Sequence, residues 1–159
     1  MSDDSNSPHN ISVRVRRLPN AGNLPLPRYH SAGASGLDLQ AALYGQSDIT
    51  LNPGQMQMVG TGIALSVPIG FEAQVRGRSG LAREFRISVE QGVGTIDSDY
   101  TGEVLVLLKN DGIEAVNIVH GNRIAQLVIA PVMRAELIEE ETLEETGRGS
   151  AGFGSTGST

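Results

Sequence analysis

The sequence contains no cysteine and no tryptophan, and only three phenylalanines and three tyrosines among 159 residues. Without cysteine there is no disulfide, no thiol nucleophile and no thiolate metal site. The absence also fits a reducing compartment. With so few rings, the core has to be built from aliphatic side chains. No apolar run approaches the roughly 20 residues of a membrane span. Met1-Ser2-Asp3-Asp4-Ser5 lacks the basic and apolar regions of a secretory signal. A cytoplasmic protein with no membrane partner is expected. Cations are in the minority, 12 Lys and Arg against 18 Asp and Glu, giving a net charge of −6. That balance argues against a protein that coats nucleic-acid backbone. A small phosphate ligand stays compatible, because local clusters decide it, and Arg76, Arg78, Arg83 and Arg86 form one.

Glycine is abundant, 20 of 159 residues, which implies many turns or backbone held close to a ligand. Residues 1–10 are polar and are expected to be disordered. Ile11, Val13 and Val15 then alternate with polar residues as in a half-buried strand. Further strands are predicted at 37–41, 55–59, 63–67, 71–76, 104–108, 115–119, 123–129 and 133–138. Asn52-Pro53-Gly54, Pro68-Ile69-Gly70, Asn110-Asp111-Gly112 and Gly121-Asn122 separate them as turns. Many short strands at such spacing indicate a β-sandwich or barrel. The one helix predicted is Ser79 to Phe85, with Ser79 as its N-cap. The chain thus divides into a β domain at 11–138, followed by an acidic linker and a Gly-rich arm at 139–159.

Several familiar arrangements are absent. There is no Walker loop, and His9, His30 and His120 are isolated in sequence, which disfavours a histidine metal site. Gly147-x-Gly149-x-x-Gly152 fits a dinucleotide pattern literally, but no strand leads into it and no helix follows, so the match is a coincidence. Three segments carry more chemistry. In Gly77-Arg78-Ser79-Gly80-Leu81-Ala82, a guanidinium, a hydroxyl and a glycine meet at a helix start, which suits an anion as well as an ordinary cap. In Gly94-Thr95-Ile96-Asp97-Ser98-Asp99-Tyr100-Thr101-Gly102-Glu103, two acids flank a serine ahead of an aromatic ring. This reads either as a polar turn or as a hairpin offering backbone to a base and a carboxylate to a water. In the Gly-rich arm, Arg148 and Phe153 sit among glycines where a plain linker needs neither.

Read together, these segments resemble the trimeric dUTP pyrophosphatase family. The resemblance runs over five ordered motifs: Ala34-Ser35-Gly36-Leu37-Asp38-Leu39, the Gly77–Ala82 and Gly94–Glu103 segments, Gly121-Asn122-Arg123-Ile124-Ala125-Gln126-Leu127, and the arm from Arg148 to Gly157. Any one motif is weak, whereas five in order are specific. The resemblance implies an all-β, jelly-roll-like fold with one short helix and a flexible C-terminal arm. It implies a homotrimer with sites between subunits, hydrolysis of dUTP to dUMP and pyrophosphate, and Mg2+ as cofactor. It also assigns roles. Asp97 activates the attacking water, and Asp38 holds the metal through water. Arg78, Ser79, Gly80 and Gln126 grip the phosphate chain. Gln91, Gly94 and Ile96 lie at the base, and Tyr100 excludes a 2′-hydroxyl. Arg148, Gly154, Ser155 and Thr156 close on the γ-phosphate, with Phe153 stacked on uracil.

The chain departs from the family's usual residues at Gly77, Ala151 and Gln91. Because Gln91 is a methylene longer than the common Asn, backbone of residues 92–96 is expected to carry most base contacts. A related family on the same fold deaminates dCTP with a glutamate beside the pyrimidine. Here Glu103 is followed only by Val, Leu and Lys up to Asn110, which favours the hydrolase.

Overall fold

The computed structural model describes residues 11–150. The expectations for residues 1–10, and for Phe153, Gly154, Ser155 and Thr156 in the arm, lie outside the described residues. Ten strands and one α-helix run in the order β1 (Arg14–Arg17), β2 (Leu37–Gln40), β3 (Ile49–Leu51), β4 (Met56–Ser66), β5 (Phe71–Arg76), α1 (Ser79–Phe85), β6 (Ile87–Val89), β7 (Val93–Ile96), β8 (Glu103–Asn110), β9 (Val116–Ile118) and β10 (Arg123–Pro131). A short 3-10 turn occupies Pro19–Ala21. The strands form two four-stranded antiparallel sheets, β1-β4-β8-β6 and β2-β10-β5-β7, with a small ribbon of β3 and β9. The strand spacing predicted such an all-β sandwich, and its jelly-roll-like form is the one that the family resemblance implied.

The core is aliphatic. Side chains alternate in and out along each strand, so β8 sends Val104, Val106 and Leu108 inward. These meet Leu39, Ala73, Val75, Ala125 and Leu127 of the other sheet in one continuous cluster. Asn110 continues the same inward row and is fully buried. Its amide donates to the carbonyls of Leu51 at 2.8 Å and Glu114 at 2.7 Å, and its side-chain oxygen accepts from the Gly112 N–H at 2.9 Å. One polar side chain thereby ties the end of β8 to β3 and to the following loop.

The segments predicted at 55–59 and 63–67 are one strand, β4, whose pairing with β8 shifts register between Gly60 and Ala64. Gly62 makes the irregularity feasible. It has φ 68°, and a Cβ there would stand 2.6 Å from Ala21 Cβ and 2.7 Å from Ala21 Cα. Strands β3, β6 and β7, each three or four residues long, escape the sequence reading. Two expectations are corrected. Residues 133–138 form no strand and are exposed, because no strand among the described residues pairs with them. Ser79 is not the N-cap. Arg78, extended at φ −100° and ψ 126°, holds that position without a side-chain cap bond, and Ser79 opens the helix. Among the described residues, no helix is long and apolar enough to cross a membrane.

Replacing Asn110 by Ala should leave two carbonyls and one N–H unpaired in the interior. A loss of about 2–4 kcal/mol is expected, read as a lower urea midpoint at unchanged slope. A shift below about 0.5 kcal/mol would show that water replaces the amide at no net cost.

Candidate functional site

The first candidate cluster forms around Asp38. Sheet register places Asp38 of β2 opposite Gln126 of β10, and Gln126 opposite Arg76 of β5. Directly paired residues share a face, so these three side chains stand on the outer side of the sheet. Arg78 follows β5 directly and reaches back to the same spot. Asp38 is 7% exposed, and a carboxylate so enclosed requires charged or hydrogen-bonding partners. It has three. Arg78 Nε lies 3.2 Å from Oδ1, Arg123 Nη1 lies 3.1 Å from Oδ2, and His30 Nε2 lies 3.3 Å from Oδ2. Ser79 and Gly80 open α1 beside Arg78 and are exposed. Among the described residues, no three His, Cys, Asp or Glu gather to hold a metal ion.

The second cluster lies on β7 and the turn after it. Ile96 is buried opposite Ala73, and the chain then turns, closed by the Tyr100 N–H donating to the Asp97 carbonyl at 3.1 Å. Asp97 is exposed beside a cleft shared with Glu72, Asp99 and Arg134. The Tyr100 ring folds back over Gly102, and its hydroxyl donates to the Glu103 carbonyl at 2.9 Å. A Cβ on Gly102 would stand 2.5 Å from the Tyr100 Oη, so the ring position demands glycine there. Gln91 and Gly94 lie at the other end of β7, where Gly94 pairs with Val75. Both Gln91 and Thr95 are exposed.

The two clusters do not meet. Four residues along β5 separate Arg76, which is level with Asp38, from Glu72, and the sheet is three strand spacings wide. Asp97 is therefore on the order of 20 Å from Asp38 at the usual strand rise and spacing. Arg148 is exposed in a turn at the end of the described residues. A single chain brings together Asp38, Arg78 and Gln126, and separately Asp97 and Tyr100.

Sequence reasoning missed Arg123 and His30. Arg123 stands inside a quoted motif, but in a regular strand it would face away from Gln126, three residues on. The register of β10 against β2 shifts between Arg123 and Ala125, and the extra residue turns Arg123 to the face of Gln126. A motif containing Arg at an unexplained position was the available signal. His30 comes from a Pro-rich loop without periodicity, where nothing in the sequence marked it.

Glu103 has a different task. Its Oε1 accepts from Asn20 Nδ2 at 2.7 Å and from the Gly62 N–H at 2.8 Å. It clamps the 3-10 turn and the β4 irregularity, and is committed to the frame.

A family model described as dUTPase matches residues 22–157. A protein of Methylocella silvestris named deoxyuridine 5'-triphosphate nucleotidohydrolase is 54% identical over 147 residues, covering 92% of either chain. One of the same name from Anaeromyxobacter sp. is 53% identical over 148 residues, covering 92% of this chain and 98% of the relative. Among solved structures, the Staphylococcus bacteriophage 80alpha dUTPase with dUpNHpp superposes at TM-score 0.82 with 27% identity, covering 93% of this chain and 99% of that one. A variant of the dUTPase from phage phi11 of S. aureus, described with a structural Mg(II) ion, gives TM-score 0.74 at 24% identity over 85% of this chain and all of that one.

Proposed function

The chain belongs to the dUTPase family and is a dUTP diphosphatase, and from that premise we propose how its residues carry out the reaction and what completes the site. Asp97 accepts a proton from a water as that water attacks the α-phosphorus of dUTP. The new P–O bond forms as the bond from the α-phosphorus to the bridging oxygen breaks, and pyrophosphate leaves. Arg78, Ser79, Gly80 and Gln126 bind the phosphate chain, and Tyr100 faces the deoxyribose. Gln91, Gly94 and Ile96 border the uracil. Arg148 binds the γ-phosphate end of the triphosphate. The reaction supplies dUMP for thymidylate synthesis and limits uracil in DNA.

The single observation that carries this reading is the Asp38–Arg78–Gln126 grouping. It sets guanidinium groups and a side-chain amide on one sheet face, donors suited to phosphate oxygens. Both oxygens of Asp38 are already engaged by Arg78, Arg123 and His30, so Mg2+ would meet Asp38 only through bound water, which suits an ion that keeps several waters and is bound through one or two carboxylates plus substrate phosphates. Bound there, it would offset phosphate charge. The commitment of Glu103 to Asn20 and Gly62 argues against a deaminase, which needs such a group free beside the base.

The distance between the two clusters supports a site shared between copies, and we take the assembly to be a homotrimer. An apolar outer face points the same way. Met58 is paired with Leu107 and Gly60 with Leu105 on the side of β4 and β8 away from the core. Met56, Met58 and Leu105 are each near half exposed. A contiguous apolar patch of this kind marks a protein interface.

Three outcomes are expected. Asp97→Asn should fold normally and bind nucleotide, with turnover roughly 10²–10⁴-fold lower; near-normal turnover in a pyrophosphate-release assay would remove Asp97 from the mechanism. Gly102→Ala should displace the Tyr100 ring and lower the ratio of kcat/KM for dUTP over UTP by roughly tenfold or more, and an unchanged ratio would show that the ring does not read the sugar. Leu105→Asp should convert the oligomer to an inactive monomer by sedimentation. A wild-type chain that is monomeric and fully active would overturn the shared site.

A further inference from the structure

Three bonds close a ring at Asp38. Arg78 Nε donates to Asp38 Oδ1 at 3.2 Å, Arg123 Nη1 donates to Asp38 Oδ2 at 3.1 Å, and Arg78 Nη1 donates to the Arg123 carbonyl at 3.3 Å. The ring joins β2, the entrance to α1 and the start of β10. Its side chains differ in exposure: Asp38 8%, Arg78 21% and Arg123 50%.

One carboxylate therefore has two permanent cations, while the phosphate chain requires one of them. If Arg78 turned onto a phosphate and no cation touched Asp38 directly, a nearly buried carboxylate would lose its contact counter-charge, which is strongly unfavourable; a Mg2+ held through water would replace that contact only at a distance. His30 is a weaker substitute, since it carries charge only when protonated, whereas a guanidinium is always charged. Arg123 also anchors Arg78 through its carbonyl, so side chain and backbone of one residue hold both members of the phosphate-side pair. The bulge that aims it is a local irregularity in a strand paired on both edges, and bulges commonly re-aim a side chain beside a site.

We propose that Arg123 is a positioning residue for dUTP hydrolysis: it keeps Asp38 paired and aimed while Arg78 is transferred to the triphosphate. It touches neither the reacting phosphorus nor the attacking water. The proposal rests on the reading of Arg78 and Asp38 given above. It makes triphosphate binding depend on Arg123 through Asp38, and leaves binding of the monophosphate product, which has no β- or γ-phosphate, independent of it.

The test compares Arg123→Ala, Arg123→Lys, Asp38→Asn, the Asp38→Asn/Arg123→Ala double variant and Arg78→Ala in the full-length oligomer. Calorimetry reads binding of dUpNHpp with Mg2+ and of dUMP, and steady-state assays give KM and kcat for dUTP. Melting and sedimentation report the fold. Removing a residue that orients a ligand-binding group typically costs roughly 10–100-fold. That loss is expected for dUpNHpp and in KM with Arg123→Ala, with kcat and dUMP affinity little changed. Arg123→Lys should recover most of it by restoring the charge. The double variant should be no weaker than Asp38→Asn alone, because the effect passes through Asp38. Losses that multiply in the double variant, or a parallel loss of dUMP binding, would show a general structural role and overturn the proposal. So would wild-type binding by Arg123→Ala where Arg78→Ala is impaired. Wild-type binding by Arg78→Ala would instead sink the reading of the phosphate site, and the proposal with it.

Discussion

A carboxylate that is almost out of water must be paired, and the placement of the phosphate-side residues follows from that requirement. Asp38 draws Arg78 from the end of β5, Arg123 from the start of β10 and His30 from the Pro-rich loop. Each comes from a different stretch of chain, so satisfying one charge fixes three backbone segments relative to one another. The basic residues remain partly exposed, with Arg123 half exposed. A chain with net charge −6 thereby presents a locally cationic surface around one acid, and local charge rather than the total governs phosphate binding.

The frame around that cluster is held by polar side chains that work inside the protein. Asn110 is fully buried with all its bonds to backbone, and Glu103 bridges the 3-10 turn to Gly62. A third fastening ties the β9–β10 turn to the end of β2. Gln40 donates to the Gly121 carbonyl at 2.8 Å, the Ala41 N–H donates to the Asn122 carbonyl and the Gly121 N–H donates to the Ala41 carbonyl, both at 2.8 Å, and the Leu43 N–H donates to His120 Nδ1 at 2.9 Å. This turn leads directly into Arg123, so the residues that fix it also fix the entrance of β10. An aliphatic core is not directional. Hydrogen bonds to specific carbonyls supply the register that it cannot.

The separation of the two clusters gives the proposed oligomer a chemical reason. The Asp38 cluster on β2 and β10 lies across the same sheet from Asp97, which follows the far end of β7. The apolar outer face of β4 and β8 offers the complementary physical reason, since burying it stabilises an assembly. On the proposed reading, catalysis and association depend on each other, and a monomer would hold two half-sites.

The sequence by itself determined the class of fold and the identity of the chemistry. Short alternating runs with turn residues between them dictate antiparallel sheets; β5 was legible to the residue behind the Pro68-Ile69-Gly70 turn, and the span of α1 was legible although its N-cap was not. Five ordered motifs identified the family and picked out Asp38, Arg78, Gln126, Asp97 and Tyr100. Strands β3, β6 and β7 were not legible, since their residues are held by pairing with distant partners rather than by local preference. The same holds for the failed strand at 133–138, which has apolar side chains but no partner among the described residues. Only tertiary structure decided that Arg123 faces Asp38, because a one-residue register shift reverses the side a strand residue takes. It alone placed His30 beside Asp38, committed Glu103 to the frame and set Asp97 apart from the phosphate cluster. Those outcomes depend on which distant segments pack together, and local sequence carries the propensity of a segment but not the identity of its neighbours.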